Sequence, residues 1–235
     1  MPEVLHIGFG DAAAGLHAIV TSAGGGLLVA GGETKPLADA EIETSTEGGT
    51  WHIRCGDQLD VELRALGEPA TFPDGTREWQ CRAAGVAGGN AVDCLGNCTS
   101  EPAADFKRIA LRREVSAWLT DDLGFACRAE RPAAAATHDR EALWAFALRG
   151  EPLAAAQIAD PRLSTVYGGD GRQRQAGLEL WEAEDSEFAL RIAGEALAGG
   201  DLALGGGAVL RCAFLRVEHD GHSGTGRYDI EVASS

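Results

Sequence analysis

Apolar and polar residues alternate along most of this chain, the period of a strand with one face buried and the other in water. Trp51, Ile53 and Cys55 alternate with His52 and Arg54, and Leu59, Val61, Leu63 and Ala65 follow against Asp60, Glu62 and Arg64. Trp79, Cys81 and Ala83 are set against Glu78, Gln80 and Arg82, and Leu123, Phe125, Cys127 and Ala129 against Gly124, Ala126, Arg128 and Glu130. In the last third Phe188, Leu190 and Ile192 oppose Glu187, Arg191 and Glu195. A long run from Ala208 to Glu218 then turns through His219-Asp220-Gly221-His222-Ser223-Gly224 into Tyr228, Ile230 and Val232. That pattern reads as a hairpin with a glycine-containing loop. Many short strands separated by glycine turns, with no helix after each, predict an all-β antiparallel barrel or sandwich and disfavour an α/β fold.

One segment departs from the alternation. Thr137 to Arg149 reads as a short helix, with Thr137 as cap, Asp139 and Glu141 in the first turn, Leu143, Trp144 and Ala147 as the apolar stripe, and Gly150 as terminator. The Pro132 to Ala136 stretch before it is the expected boundary between halves 1–131 and 137–235. A chain of 235 residues suffices for one compact unit, 1–235, whose two halves share a core.

Charge narrows the partners. A formal net charge of −16 repels nucleic acid and anionic membrane. Met1 to His6 has no basic export signal, and no apolar run approaches the ~20 residues of a membrane helix. A cytoplasmic location with reduced thiols is expected. Cys55, Cys81, Cys127 and Cys212 fall on apolar phases, where free cysteine behaves as a small hydrophobe. Cys94-Leu95-Gly96-Asn97-Cys98 reads as a thiol pair in a Gly/Asn loop without the two further ligands a metal needs, so no metal is expected. Gly8-Phe9-Gly10 with Glu33 beyond it superficially matches a dinucleotide fingerprint. However, Gly15 interrupts the required helix, and Leu16, Ala18 and Val20 alternate like a strand. No cofactor is implied. Gly-x-Ser-x-Gly is absent, and His219 and His222 read as solvated turn residues.

Two charges stand in apolar phases. Arg113 shares a phase with Ile109, Leu111, Val115 and Ala117, and Arg216 with Leu210, Cys212 and Phe214. A buried guanidinium must find a carboxylate or a ligand anion. Both arginines are therefore expected inside the protein, with Glu179 or Glu195 as possible acids; the alternatives are a strand end reaching solvent and a binding-site role.

Three stretches carry a resemblance: Asp160-Pro161-Arg162-Leu163-Ser164-Thr165, the run from Asp170 to Trp181, and Gly221 to Ile230. They resemble a bacterial family distantly similar to the lipocalin-like hydroxyneurosporene synthase, or carotenoid hydratase, group. The resemblance implies two lipocalin-like β halves around an apolar cavity. It also implies hydratase or cyclase chemistry on isoprenoid- or polyketide-like molecules, with a carboxylic acid protonating a double bond. No catalytic acid of that group maps onto a motif here. One reading of function is binding of an apolar small molecule, with Arg113, Arg216, Trp181 and Phe214 as anchors and wall. Another is an acid/base enzyme, a hydratase, cyclase or isomerase, with Asp139, Glu179 and Glu195 as acids and His138 and Tyr228 as helpers. The third is a structural or partner-binding β module. Oligomeric state has no signal in the sequence.

Overall fold

The structure is a computed structural model in which residues 3–45, 49–135 and 140–234 are described. The first sheet contains β1 (Glu3–Asp11), β2 (Leu16–Thr21), β3 (Gly26–Ala30), β4 (Glu33–Leu37), β5 (Glu41–Thr44), β6 (Thr50–Cys55), β7 (Leu59–Ala65), β8 (Ala70–Thr71), β9 (Arg77–Ala87) and β10 (Asn90–Pro102). Its order is β4-β3-β2-β1-β10-β9-β7-β6-β5, with β8 attached to β9. The second sheet contains β11 (Ile109–Thr120), β12 (Leu123–Pro132), β13 (Ala142–Arg149), β14 (Ala154–Gln157), β15 (Asp160–Tyr167), β16 (Gln173–Trp181), β17 (Leu190–Leu204), β18 (Ala208–His219) and β19 (His222–Ala233). Its order is β14-β13-β12-β11-β19-β18-β17-β16-β15. Each sheet thus pairs its own first strand with its last, β1 with β10 and β11 with β19, both antiparallel. Among the described residues no helix is long and apolar enough to cross a membrane.

The alternation explains the curl of each sheet into a half-barrel, because every second side chain must leave water. In the first half Ile7, Phe9, Trp51, Ile53, Val61 and Leu63 form one buried cluster. In the second, Val115, Phe125, Leu178, Leu180, Leu215 and Val217 form another. Burying each such side chain contributes about 1.5–3 kcal/mol. Both inward faces are therefore filled with side chains. Two smaller clusters join the halves: Ile19, Leu27 and Val29 meet Leu210, Cys212 and Phe214, and Phe72 meets Ala126, Phe146 and Leu148.

Two sequence expectations are corrected here. The segment read as a helix holds β13, paired with β12 from Glu130↔Ala142 to Leu123↔Arg149. Ala145 and Ala147 point into the second half while Phe146 and Leu148 point into the joint between halves, so the run is apolar on both faces and its period cannot distinguish helix from strand. Thr137 to Asp139 lie outside the described residues. Cys94 and Cys98 sit within β10 and not in a loop, four residues apart along an extended strand, roughly 13 Å and far beyond disulfide reach. The crossing from sheet to sheet falls at residues 103–108, and the described residues after Pro132 follow β12 within the second sheet. Gly8 to Leu16 form a β-hairpin, as the alternation implied, and His219↔His222 close the β18–β19 hairpin.

Candidate functional site

The outward faces of β1, β9 and β10 meet those of β11, β12 and β19, and this seam is charged. Successive strand residues point to opposite faces. With Val115, Phe125, Cys127, Tyr228 and Ile230 pointing inward, their neighbours Arg112, Glu114, Ser116, Arg128, Arg227, Asp229 and Glu231 point into the seam. The first half contributes His6, Glu78, Asn97, Thr99 and Glu101, and all of these residues are buried. Register sets opposite charges side by side at Arg112↔Glu231, Arg112↔Glu130 and Glu114↔Arg128, and two acids side by side at Glu114↔Asp229. Gly8 lets the layers close, since a Cβ there would stand 2.5 Å from Arg227 Nη1 and 3.2 Å from Asn97 Oδ1.

Glu101 is the hub. Its Oε2 accepts from Arg128 Nη1 at 2.7 Å and lies 3.0 Å from Arg112 Nη1, while its Oε1 lies 3.0 Å from His6 Nε2. Arg112 Nη1 also donates to Glu231 Oε2 at 3.2 Å, and Arg112 Nε to Glu130 Oε1 at 3.2 Å. Arg128 contacts Glu114 and reaches Asp74 Oδ2 at 2.8 Å. Arg227 Nε stands 2.7 Å from Asp229 Oδ2. Glu78 differs from these acids: its Oε1 accepts from Asn97 Nδ2 at 3.2 Å, and no arginine among the described residues lies within ion-pair distance of it.

These surroundings push the acids apart. Burial opposes ionisation of Glu101, but Arg128, His6 and Arg112 outweigh it and hold its carboxyl well below the usual range. Burial, reinforced by the Glu101 charge, raises Glu231 despite Arg112. Burial raises Asp229 against the pull of Arg227, and it pushes Glu78 up to about 7, only partly offset by Ser116, Arg227, Asn97 and Arg128. Glu101 and Glu231 thus share one guanidinium nitrogen with pKa values displaced in opposite directions, the arrangement that separates a fixed anion from a proton donor.

The seam opens at one end into a groove of about 520 Å³ lined by Pro102, Ala103, Arg108, Ile109, Arg112 and Glu130, among others. Arg112 also lines a small hollow with His6, Glu101, Asp229 and Glu231. One side chain therefore touches both the open groove and the buried carboxyl layer. Among the described residues no cluster of His, Cys, Asp or Glu is placed to hold a metal ion.

Solved structures share this architecture. CghA superposes with a TM-score of 0.63 at 12% identity, covering 99% of this chain and 88% of that one. Kievitone hydratase from Nectria haematococca gives 0.58 at 10%, covering 99% and 89%. CghA with Sch210972 gives 0.60 at 11%, covering 99% and 89%. This chain has a lipocalin-like fold. No family model matches the sequence, and no curated protein matches it.

Within this lipocalin-like fold the residues singled out from sequence scatter. Arg113 and Tyr228 come together inside the second half, where Arg113 Nη1 donates to Tyr228 Oη and to Thr165 Oγ1, each at 3.3 Å. Its acid is Glu141, not Glu179 or Glu195. Burial pushes the Tyr228 phenol up to about 12, against Arg113 and Thr165. Arg216 is a correction: it is exposed. Leu210, Cys212, Phe214 and Arg216 do share one face, but that face is the outside of the second half; the first half covers it at Leu210 to Phe214 and no longer at Arg216. Arg216 instead lines an outer groove of about 450 Å³ with Ser164, Glu195 and Glu218. Glu179, also on the outside, pairs with Arg191 at 3.3 Å. Trp181 is half-buried beneath the Arg162 guanidinium, 4.3 Å from its ring centroid. Phe214 stacks on His17 at 5.1 Å in the joint between halves. His138 and Asp139 lie outside the described residues.

Proposed function

We propose that the protein takes up a small, largely apolar molecule bearing an anionic or carbonyl group in the groove between its halves and acts on it by proton transfer. The carrying observation is the placing of Arg112, which stands in the groove wall while holding both Glu101 and Glu231. Arg108 and Arg112 would anchor the polar end, with Pro102, Ala103, Ile109, Pro132 and Ala142 against the apolar remainder. Glu231 would give its proton to a double bond or carbonyl, and Arg112 would stabilise the carboxylate left behind. Water or an internal group would then complete a hydration, cyclisation or isomerisation, with a proton returned to Glu231. The names of the fold neighbours support the reading: one is a hydratase, and one was solved with Sch210972. Free cysteines favour a reducing, cytoplasmic setting, and the acidic surface favours neither nucleic acid nor anionic membrane.

Binding without turnover is favoured by one observation: Glu231 lines the hollow and not the groove. Two variants separate the readings. With isoprenoid- and polyketide-like carboxylic acids as probes, Ala103→Trp should fill the groove and abolish binding in calorimetry without lowering the melting temperature. Glu231→Gln should leave binding intact and remove turnover. Unaltered binding in Ala103→Trp would overturn the site, and turnover that survives Glu231→Gln would reduce the protein to a carrier or move its acid elsewhere.

A further inference from the structure

The seam contains more acid than base. Three arginines, Arg112, Arg128 and Arg227, and one histidine, His6, which is charged only when it takes up a proton itself, face five buried carboxyls, Glu78, Glu101, Glu114, Asp229 and Glu231. Coulomb repulsion in a low-dielectric layer does not tolerate two uncompensated negative charges, so the layer must hold protons. Geometry indicates where. Glu101 has two guanidinium groups within 3.0 Å, Glu114 contacts Arg128, and Asp229 and Glu231 each have one arginine. Glu78 has none, and the side chains that hydrogen-bond to it, Asn97 and Ser116, are neutral. It faces Asn97 from β10, Ser116 from β11, Arg128 from β12 and Arg227 from β19, the last two beyond pairing distance. It is 3% exposed and lies in the contact between halves.

We propose that closing the two halves on one another takes up protons, with Glu78 as the main acceptor, so that the seam is tightest in mildly acidic solution and loosens through neutral pH. As regulation of the groove this rests on the reading above, because a looser seam uncovers Arg112. Proton coupling itself does not need a ligand. The sign follows from burial: a carboxyl raised to about 7 when closed holds a proton that the open, hydrated form loses from about pH 4.5 upward. Closure therefore weakens as pH rises across that window and stays weak above it.

Amide hydrogen exchange on the ligand-free protein tests this. After correction for intrinsic rates, the opening constant of β1, β10, β11 and β19 should rise by roughly two orders of magnitude between about pH 4.5 and about pH 7. β6 and β7, inside the first half, should not share that rise. Glu78→Gln, which keeps the shape and a neutral group, should flatten the dependence. Exchange that is independent of pH in the wild type, or a dependence of undiminished size in the variant, would overturn the proposal; Asp229 and Glu231, also raised by burial, account for a smaller remainder. Should the variant fail to fold, the infrared carbonyl band of a protonated carboxyl in the wild type decides. Its presence at about pH 5 and loss near pH 7 support the proposal, and its absence overturns it. Flat exchange would leave groove binding standing, whereas unblocked binding in Ala103→Trp would leave the seam standing.

Discussion

The interiors of the halves and the seam between them are buried to the same degree by opposite chemistry. Phe9 is 0% exposed among Ile7, Trp51 and Leu63, and Glu101 is 3% exposed among Arg112, Arg128 and His6. The interior gains free energy from each apolar group removed from water, with no requirement for a particular partner. The seam pays a desolvation cost for every ion and recovers it only through complete pairing. The interiors should therefore hold their shape across a range of pH and salt, and the seam should carry the sensitivity and the chemistry.

Arg128→Ala is the strongest way to break this comparison. It leaves Glu101, Glu114 and Asp74 short of a partner and should cost about 3–5 kcal/mol in urea unfolding. Leu63→Ala, in the first interior, should cost about 3 kcal/mol, and that cost should stay constant as pH falls. The Arg128 penalty should shrink in acid instead. Glu101 is held below its usual range when folded, so its contribution is fully present above the unfolded value of about 4.3 and is lost as pH falls through the folded one; in the variant there is less to lose. Urea midpoints measured at several acidic pH values would show Arg128→Ala approaching the wild type as pH falls while Leu63→Ala keeps its offset. Gly8→Ala drives a methyl against the Arg227 guanidinium and should cost about 1–3 kcal/mol by thermal melting. Arg216→Met, exposed on the outside, should change stability by no more than about 0.5 kcal/mol. A large loss there would show that the outer face is covered after all.

The fold was legible because each half has one wet and one dry face over much of its area. Leu59 to Ala65 falls on the expected phases, and Cys55, Cys81, Cys127 and Cys212 are buried, whereas Trp79 to Ala83 and Phe125 to Ala129, read as half-buried, are covered on their polar faces as well, at Glu78, Gln80 and Arg128. β13 was not legible, since Ala145 and Phe146 are both buried, on opposite faces. The seam was missed for a related reason. Glu101, Arg112, Arg128 and Glu231 occupy polar phases, and a single strand cannot indicate whether its polar face meets water or a second sheet. Arg216 failed in the converse way, on a phase that is covered for three positions and open at the fourth. A signal did exist in β11 and β19. Arg112, Glu114, Ser116 and Trp118 share one face, and Arg227, Asp229 and Glu231 another, with opposite charges two residues apart and a large aromatic side chain among them. A solvated face has no use for a tryptophan that is 1% exposed.

The two sides of the seam are separated by most of the chain. His6 and Gly8 of β1 lie against a layer completed by Arg227, Asp229 and Glu231, so at the ribosome the first face must wait for the last strand, roughly ten to forty seconds at ordinary rates of synthesis. The first sheet needs only residues 3–102 to close and can be finished long before. An apolar waiting face would invite other nascent chains. One carrying His6, Glu78 and Glu101 stays hydrated, so the acid that makes the finished contact costly also keeps the half-made protein in solution.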